Sequence, residues 1–261
     1  MLSYKIKETK AVIKKALELS EKPLVLNYSG GKDSLLLLDI IQQITDKFIP
    51  FFCYTGIEFE DTFRIVKNSA KERDLQLLIS YPEDHKGGFF ERIKVMKCFP
   101  GIRSTWCSRD LKFRPQKKVL QRKFGKGAFY KLNAVRKYES NRRNKIYRSD
   151  TFFKEDYHVY KDIMVFPILN WTTEERNRYF EKKAIKIEIN ELYEKFGVSG
   201  CFYCPFYQHK IYRKILESDI NKYNEFIKWE ALLNKPAVIN HKFLRDLKEE
   251  VKNQRKITEF L

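Results

Sequence analysis

The most informative stretch of this chain is Leu24-Val25-Leu26-Asn27-Tyr28-Ser29-Gly30-Gly31-Lys32-Asp33-Ser34, which is followed by an apolar-rich segment, Leu35 to Ile44. The apolar residues before the glycine pair predict a buried strand, and those after it predict a helix. Gly30 and Gly31 permit backbone angles that other residues avoid, and they let a ligand approach the main chain. Because the first amides of a helix carry partial positive charge, we expect a phosphate group to bind at this turn.

The side chains of the same turn also suit phosphate. Lys32 supplies a full positive charge, and Ser29 and Ser34 supply hydroxyl groups. Two roles are open for Asp33, which either holds a magnesium-bound phosphate or caps the helix. The spacing differs from that of the Walker motif, which needs four residues between its first glycine and its Gly-Lys pair.

Length and composition indicate a globular protein. The chain has 261 residues, 43% of them hydrophobic and 15% aromatic, which is enough to build a substantial core. No apolar run approaches the roughly 20 residues that a membrane span needs, and Met1 to Lys15 contains no signal-peptide core. We therefore expect a cytoplasmic protein that does not associate with membranes.

The order of predicted elements defines the fold class. A leading helix is predicted over residues 5–20, short strands at Pro50–Tyr54 and Leu75–Tyr81, and between these strands a helix that Asp61 caps and that runs to about Asp74. This alternation predicts an α/β fold with a doubly wound, mainly parallel sheet. In such sheets ligands bind beyond the carboxyl ends of the strands, where the segments 29–34 and 55–58 both lie.

The last part of the chain has a different pattern. Lys210 to Leu261 predicts two or three amphipathic helices. We therefore predict two domains, a nucleotide-binding domain over residues 1–207 and a helical C-terminal appendage over residues 208–261.

Four of the five cysteines lie in predicted loops. Cys98 and Cys107 flank one loop, and Cys201 and Cys204 are separated by two aromatic residues. A two-residue separation lets both sulfur atoms face one metal ion, and a second pair would complete a four-thiolate site. We favour a [4Fe-4S] cluster, with zinc as the second choice and a redox-active Cys201/Cys204 pair as the alternative. Cys53 lies in an apolar strand and is predicted to be a core residue.

The net charge of +18 is concentrated in one stretch. Fifteen Lys or Arg side chains lie between Arg109 and Arg148, against only Asp110 and Glu139. Such a run is usually a solvated face, but its position after the predicted phosphate site favours a polyanionic partner. We predict that Lys117, Lys118, Arg122 and Lys123 are exposed and contact a nucleic acid.

Several segments, in order, resemble one family. Ser29-Gly-Gly-Lys-Asp-Ser34 resembles the PP-loop of the ATP pyrophosphatase superfamily, whose members cut ATP between the α and β phosphates. Within that superfamily the resemblance is to the phosphoadenosine phosphosulfate reductase family, and it spans roughly residues 22–210. It rests on the following further segments: Thr55-Gly-Ile-Glu58, Trp106-Cys-Ser-Arg-Asp-Leu-Lys112, Ala134-Val-Arg-Lys-Tyr-Glu-Ser140, Phe166-Pro-Ile-Leu-Asn-Trp171 with the threonines after it, and Gly200 to Phe206.

The resemblance implies an adenine nucleotide alpha hydrolase-like fold that binds ATP and Mg²⁺. It implies that Lys32, Asp33, Arg109 and Arg136 are catalytic. The nucleotide-binding residues that it implies are Ser29, Gly30, Gly31, Lys32, Asp33, Ser34, Thr55, Gly56, Glu58, Arg109, Lys112 and Arg136. Arg109, Lys112 and Arg136 are cations placed after predicted strand ends, which independently suits a triphosphate or its pyrophosphate product.

One departure from the family bears on function. The reductases use a cysteine near the C-terminus to take the sulfonate group, whereas no cysteine follows Cys204 in this chain. The favoured expectation is therefore an ATP pyrophosphatase that adenylates an acceptor oxygen for sulfur insertion, in DNA backbone phosphorothioation or a related nucleic-acid thiolation. Its expected partners are DNA, ahead of tRNA, and a cysteine desulfurase or other sulfur donor. The alternatives are a reductase of adenylyl sulfate or phosphoadenylyl sulfate, and a non-catalytic nucleic-acid-binding protein.

Overall fold

The computed structural model describes residues 2–84, 86–102, 104–155, 161–183, 192–198, 200–237 and 242–259. The chain divides into two compact units. Unit 1 comprises residues 1–53, 61–80 and 116–190, and unit 2 comprises residues 54–60, 81–115 and 191–261. The predicted boundary at residue 207 is not a boundary between these units, because residues 191–261 all belong to unit 2.

A six-stranded sheet is the centre of unit 1. Its strands are β1 Leu24–Asn27, β2 Phe48–Cys53, β3 Leu78–Ser80, β4 Tyr130–Leu132, β5 Phe153–Glu155 and β6 Ile163–Val165. Their spatial order is β3-β2-β1-β4-β6-β5. All neighbouring pairs are parallel except β5 and β6, which are antiparallel. The α/β fold with a mainly parallel sheet is thus confirmed.

Twelve α-helices lie within the described residues. They are α1 Leu2–Leu19, α2 Lys32–Gln42, α3 Glu60–Glu72, α4 Phe89–Met96, α5 Trp106–Ser108, α6 Arg114–Phe124, α7 Asn141–Ile146, α8 Thr173–Lys183, α9 Leu192–Phe196, α10 His209–Ser218, α11 Ile220–Leu233 and α12 Leu244–Glu259. A π-helical turn, Arg109–Phe113, lies between α5 and α6. None of the described helices is long and apolar enough to span a bilayer.

Strand β1 fixes the position of the glycine turn. Leu24, Val25 and Leu26 are buried, as expected for a central strand covered on both faces. β1 pairs with β2 on one side and with β4 on the other, and the chain crosses from one side of β1 to the other between β3 and β4. The carboxyl ends of β1 and β4 are therefore a topological switch point, where ligands bind in sheets of this kind.

The α3–β3 region differs in detail from the sequence-based expectation. α3 begins at Glu60, so Asp61 lies inside the first turn and does not precede the helix as its cap. Strand β3 is shorter than predicted, since only Leu78–Ser80 of the predicted range is a strand. The reason is that Asp74 takes a left-handed φ of 51° and the Leu75 amide donates to the carbonyl of Ala70, so the start of the predicted strand closes the helix.

Unit 2 is built around a cluster of aromatic side chains. Phe226 of α11 lies with its ring centroid 5.9 Å from that of Phe89 in α4 and 5.5 Å from that of Tyr203. The cluster also contains buried residues from α10 and α12. The predicted C-terminal helices are therefore present, and they share their core with the segment that carries Cys201 and Cys204.

Candidate functional site

The glycine turn after β1 has the geometry of an anion site. Gly30 has φ +72°, and a Cβ atom there would lie 2.8 Å from Cγ2 of Val66, so only glycine fits. Gly31 precedes the first residue of α2, and no side chain in the described part of the chain caps that helix start. Of the two roles left open for Asp33, capping of α2 is therefore not the one that the structure has. Without such a cap, the first amides of α2 are suited to bind a negatively charged ligand.

Two serines hold the turn in shape. The hydroxyl of Ser34 donates to the carbonyl of Gly31 at 2.9 Å, and it accepts from the amide of Ser29 at 3.3 Å. The two serine hydroxyl oxygens lie 3.2 Å apart. Both predicted serines are thus part of one compact loop whose internal hydrogen bonds fix the backbone around Gly30 and Gly31.

Asp33 joins two arginines that come from distant parts of unit 1. Its Oδ1 atom accepts from Nε of Arg136 and from Nη1 of Arg176, each at 2.8 Å. Arg136 also donates to the hydroxyl of Thr173 at 3.2 Å. The structure thus brings the predicted residues Asp33 and Arg136 together and adds a second arginine that the sequence did not indicate.

The backbone explains how these arginines reach the turn. Arg136 follows β4 in an extended conformation, and the next amide, that of Lys137, donates to the carbonyl of Leu169. Arg176 lies in the first turn of α8. The start of α8 is set by a capping box, in which the Thr172 amide donates to Glu175 at 2.9 Å and the Glu175 amide donates to the Thr172 hydroxyl at 3.2 Å. The pattern Thr-x-x-Glu was visible in the sequence and could have predicted this helix start.

In unit 2, Glu58 organises the segment after β2. Its carboxylate accepts from the amide of Thr55 at 2.9 Å, the hydroxyl of Thr55 at 2.6 Å and the amide of Gly56 at 3.1 Å. An antiparallel bridge pairs Glu58 with Cys201, whose Sγ lies 3.8 Å from Glu58 Oε1. Thr55, Gly56 and Glu58 are therefore brought together in one tight turn. Their binding of a nucleotide stays a prediction.

Arg109 lies in a separate cluster in unit 2. Asp110 is fully buried and accepts from Nε of Arg109 at 2.8 Å, Nε of Arg92 at 2.6 Å and Nη1 of Arg114 at 3.0 Å. Burial raises the pKa of Asp110, but hydrogen bonds from Arg109 and Arg92 outweigh it and lower the pKa to about 2. Arg109 thus stabilises a buried carboxylate while keeping about half of its side chain exposed.

The four loop cysteines all belong to unit 2 and pack against its aromatic cluster. Cys98, Cys107, Cys201 and Cys204 are half-buried free thiols. Burial raises the pKa of Cys201 to about 12, and burial also raises the pKa values of Cys107 and Cys204, while the charge of Lys112 acts in the opposite direction on all three. The predicted phosphate ligand Lys112 therefore lies within electrostatic reach of these thiols.

The fit of these cysteines to a metal centre is partial. Four thiols in one unit are a suitable donor set for a [4Fe-4S] cluster or for zinc. Among the described residues, however, no three His, Cys, Asp or Glu side chains are arranged to hold a metal ion. Cys53 lies at the end of β2 and packs against the core of unit 1, as predicted.

The basic stretch is divided between internal and exposed positions. Lys117 was predicted to be an exposed cation, and this prediction is wrong. Its ammonium group lies 2.6 Å from the buried carboxylate of Asp162, which Lys131 also contacts at 2.7 Å. A buried acid that receives two ion pairs is a structural feature. Unit 1 nevertheless has exposed cations from this stretch, and those among its described residues are Lys118, Arg122, Lys123, Lys126, Arg142, Lys145 and Arg148.

The chain is similar in sequence to several known proteins. Residues 23–207 match the family model of the phosphoadenosine phosphosulfate reductase domain. The chain is 29% identical over 264 residues to an uncharacterized protein of Methanocaldococcus jannaschii; the match covers 97% of this chain but only 60% of that longer protein. It is 26% identical to the adenosine 5'-phosphosulfate reductase of Staphylococcus epidermidis over 194 residues, 74% of each chain.

One solved structure has the same fold. The crystal structure of the phosphoadenylyl-sulfate reductase of Candida auris, in complex with phosphate, superposes with a TM-score of 0.54 at 19% identity, over 74% of this chain and 87% of that chain. The region that matches the family model contains the glycine turn and all four loop cysteines. It also contains both arginines that contact Asp33.

Proposed function

Since this chain belongs to the phosphoadenosine phosphosulfate reductase domain family, within the PP-loop superfamily, we propose that it is an ATP pyrophosphatase that activates an acceptor oxygen for replacement by sulfur. The proposed acceptor is a non-bridging phosphate oxygen of a nucleic acid backbone, with DNA ahead of tRNA. The proposed sulfur source is a persulfide supplied by a cysteine desulfurase, or another sulfur donor.

One observation carries the proposal. At the switch point of the sheet, the uncapped start of α2 and the cations of Lys32, Arg136 and Arg176 are all part of one small region of unit 1. A polyphosphate needs a backbone amide cradle and several cations that neutralise the charge of the departing pyrophosphate. Both requirements are met by residues whose positions are fixed by β1, β4 and the start of α8.

The proposed reaction has two steps. The acceptor oxygen attacks the α phosphorus of ATP, the bond between that phosphorus and the bridging oxygen breaks, and pyrophosphate leaves with the electron pair. Hydrosulfide, or a persulfide whose S–S bond a thiol then cleaves, attacks the activated acceptor atom, and AMP leaves with the original acceptor oxygen. Lys32 and the arginines stabilise the negative charge that develops on pyrophosphate.

The exposed cations of unit 1 support a nucleic acid as the acceptor. Several Lys and Arg side chains from the basic stretch remain at the surface after the internal ion pairs are set aside. Exposed cations that neutralise backbone phosphates bind nucleic acids with little dependence on base sequence. This property suits an enzyme that acts on the backbone.

A second candidate function is reduction of a sulfated adenine nucleotide. It is favoured by the 26% identity to the staphylococcal adenosine 5'-phosphosulfate reductase. In that case the nucleotide would be the substrate, and a thiol from Cys201, Cys204 or a partner would accept the sulfonate group.

We further propose that Cys98, Cys107, Cys201 and Cys204 hold a [4Fe-4S] cluster, or zinc as the second choice. When bound, such a centre would tie together the three segments that carry the cysteines. Purification without oxygen should give brown protein with iron and sulfide, and each Cys→Ser variant should lose the colour. Colourless protein with one zinc per chain would assign a zinc site, and protein with neither metal would remove this part of the proposal.

The main test is a product assay. The protein is incubated with ATP and Mg²⁺, with and without duplex DNA and a sulfide donor, and AMP and pyrophosphate are quantified. Parallel reactions contain adenylyl sulfate or phosphoadenylyl sulfate with a dithiol, and sulfite is measured. Formation of AMP and pyrophosphate supports the proposal, whereas sulfite without ATP cleavage would establish the reductase. If neither pyrophosphate nor sulfite forms, the remaining candidate is a non-catalytic binding protein.

A variant pair links the products to the glycine turn. Lys32→Ala should lower ATP cleavage by about 100-fold or more, because it removes a cation that stabilises transition-state charge. Lys14→Ala removes an exposed lysine of α1 and serves as the matched control, with activity expected to stay at the wild-type level. Equal activity in the two variants would contradict the placement of the reaction at this turn.

A further inference from the structure

We infer that Arg176 is a phosphate-binding residue that contacts the pyrophosphate part of the nucleotide together with Arg136, and that Asp33 holds both guanidinium groups in position before the ligand arrives. This inference rests on the proposed function, which it deepens by assigning a residue of the same site.

The first argument is convergence on a single atom. Nε of Arg136 and Nη1 of Arg176 both lie 2.8 Å from Oδ1 of Asp33, the second residue of α2. Two guanidinium groups on one carboxylate oxygen lie side by side, and each retains donors that Asp33 does not use. Arginine presents five N–H donors in a rigid fork, so donors remain for a phosphate oxygen.

The second argument is charge. The side chains of Arg136 and Arg176 are only 4% and 11% exposed, so two cations are largely removed from water against one carboxylate. Excess positive charge at a largely buried place is costly unless an anion compensates it. Glu174 also faces the two arginines, but it is fully solvated and therefore screened. Lys32, on the same turn, carries a further positive charge.

The third argument is rigidity. The capping box of Thr172 and Glu175 fixes the start of α8, so the first turn that carries Arg176 has a defined position. Asn177 Oδ1 accepts from Nη2 of Arg176 at 3.1 Å and from its Nε at 3.3 Å. Because Asp33 and Asn177 bind different nitrogen atoms of the guanidinium group, they limit its rotation. A group held in this way loses little conformational entropy when it binds phosphate.

The competing explanation is that Arg176 only forms a salt bridge that fastens α8 to α2. Both explanations predict some loss of stability when Arg176 is removed. They differ in anion affinity, because a fastening salt bridge contributes nothing to pyrophosphate binding once the fold is intact. Binding of the product to the whole chain therefore separates them without any need for turnover.

The experiment is calorimetric titration of inorganic pyrophosphate into wild-type protein and into the variants Arg176→Ala, Arg176→Lys, Arg136→Ala and Arg178→Ala. Arg178 is the matched control, since it is an exposed arginine two residues further along the same helix. Removal of a charge-assisted hydrogen bond should weaken binding about 10- to 100-fold in Arg176→Ala and Arg136→Ala. Arg176→Lys should recover part of this affinity, because it restores the charge without the fork. Arg178→Ala should bind as the wild type does.

Urea unfolding of the same variants shows whether each one is folded. The inference is overturned if Arg176→Ala binds pyrophosphate like the wild type, if Arg178→Ala is equally impaired, or if the wild-type chain does not bind pyrophosphate. Pyrophosphate binding that depends on Arg176, in a chain that does not cleave ATP, would instead retain the assigned site and reject the proposed function.

Discussion

Two aspartates in this protein, Asp110 and Asp33, each form ion pairs with more than one arginine, but the two clusters differ in burial and in sequence separation. Asp110 in unit 2 is fully buried, and two of its three arginines, Arg109 and Arg114, are one and four residues away in sequence. Asp33 in unit 1 is 19% exposed, and its arginines are 103 and 143 residues away. Arginines that are near in sequence thus stabilise a fully buried acid, whereas folding brings two distant and largely buried arginines to a partly exposed carboxylate at the switch point of the sheet.

The two arginines that were predicted to be catalytic, Arg136 and Arg109, contact different aspartates. Arg136 is one of the two arginines on Asp33, at the switch point of the sheet. Arg109, which was predicted to have the same kind of role, donates two hydrogen bonds to Asp110 at 2.8 and 3.0 Å. These hydrogen bonds stabilise the buried carboxylate of Asp110. Binding of a nucleotide by the half-exposed side chain of Arg109 stays a prediction.

The largest expected effect is on stability and tests whether the Asp110 cluster is structural. Asp110→Ala should lower the free energy of unfolding by about 3–5 kcal/mol, because it leaves the buried guanidinium of Arg92 without its partner. Asp33→Asn should cost less, about 1–3 kcal/mol, since the amide oxygen still accepts from both arginines but no longer offsets the charge of their largely buried guanidinium groups. Urea unfolding followed by circular dichroism measures both. Similar destabilisation of the two variants would remove the distinction between the clusters.

The next largest effect is the pH dependence of the stability that Asp110 contributes. The pKa of Asp110 is lowered to about 2 in the folded protein, so its stabilising contribution is complete above the unfolded value near 3.9 and disappears as the pH falls towards 2. The difference in unfolding free energy between wild type and Asp110→Asn should therefore shrink by roughly 2 kcal/mol between pH 5 and pH 2. Unfolding curves at half-unit pH intervals measure it, and a constant difference over this range would contradict the assigned pKa.

The smallest effect on stability, under about 0.5 kcal/mol, is expected for exposed cations of the basic stretch. The variant Lys118→Ala/Arg122→Ala/Lys123→Ala should bind duplex DNA more weakly, and the dependence of log K on log salt should flatten by about 0.9 for each DNA phosphate that the variant no longer neutralises. A triple replacement of Lys7, Lys14 and Lys71 is the control of equal charge. Equal slopes in both variants would place the nucleic-acid surface elsewhere, and unchanged ATP cleavage without DNA is expected in both.

Much of unit 1 could be predicted because its signals are local. The run Leu24–Leu26 predicts a buried strand by composition alone, and the glycine pair after it predicts a turn, in which Gly30 takes a positive φ. The alternation of strands and helices then predicts the parallel arrangement, because neighbouring parallel strands need a crossover connection, which is usually a helix. Lys32 and Asp33 are predicted from the turn that follows the strand at Leu24–Leu26, and Arg136 from the resemblance of its segment, residues 134–140, to the family.

Unit 2 was harder to predict, because its core joins residues that are more than 100 positions apart. Phe89 and Phe226 pack together, yet neither segment carries a pattern that identifies the other as its partner. A hydrophobic residue specifies that it will be buried but not against which segment. For this reason the compact units divide the chain differently, with residues 191–261 all in unit 2.

The phosphate turn, the α/β order and the family could all be recognised from the amino-acid order, because they depend on backbone conformation and on short spacings. Which charges pair with which became known only from the folded chain. Folding pairs Lys117 with Asp162, Arg109 with Asp110, and Arg176 with Asp33. The interaction energy of two charges depends on their separation in space and not on their separation in sequence. Charges that are distant in sequence come close only when apolar burial fixes the strands and helices that carry them.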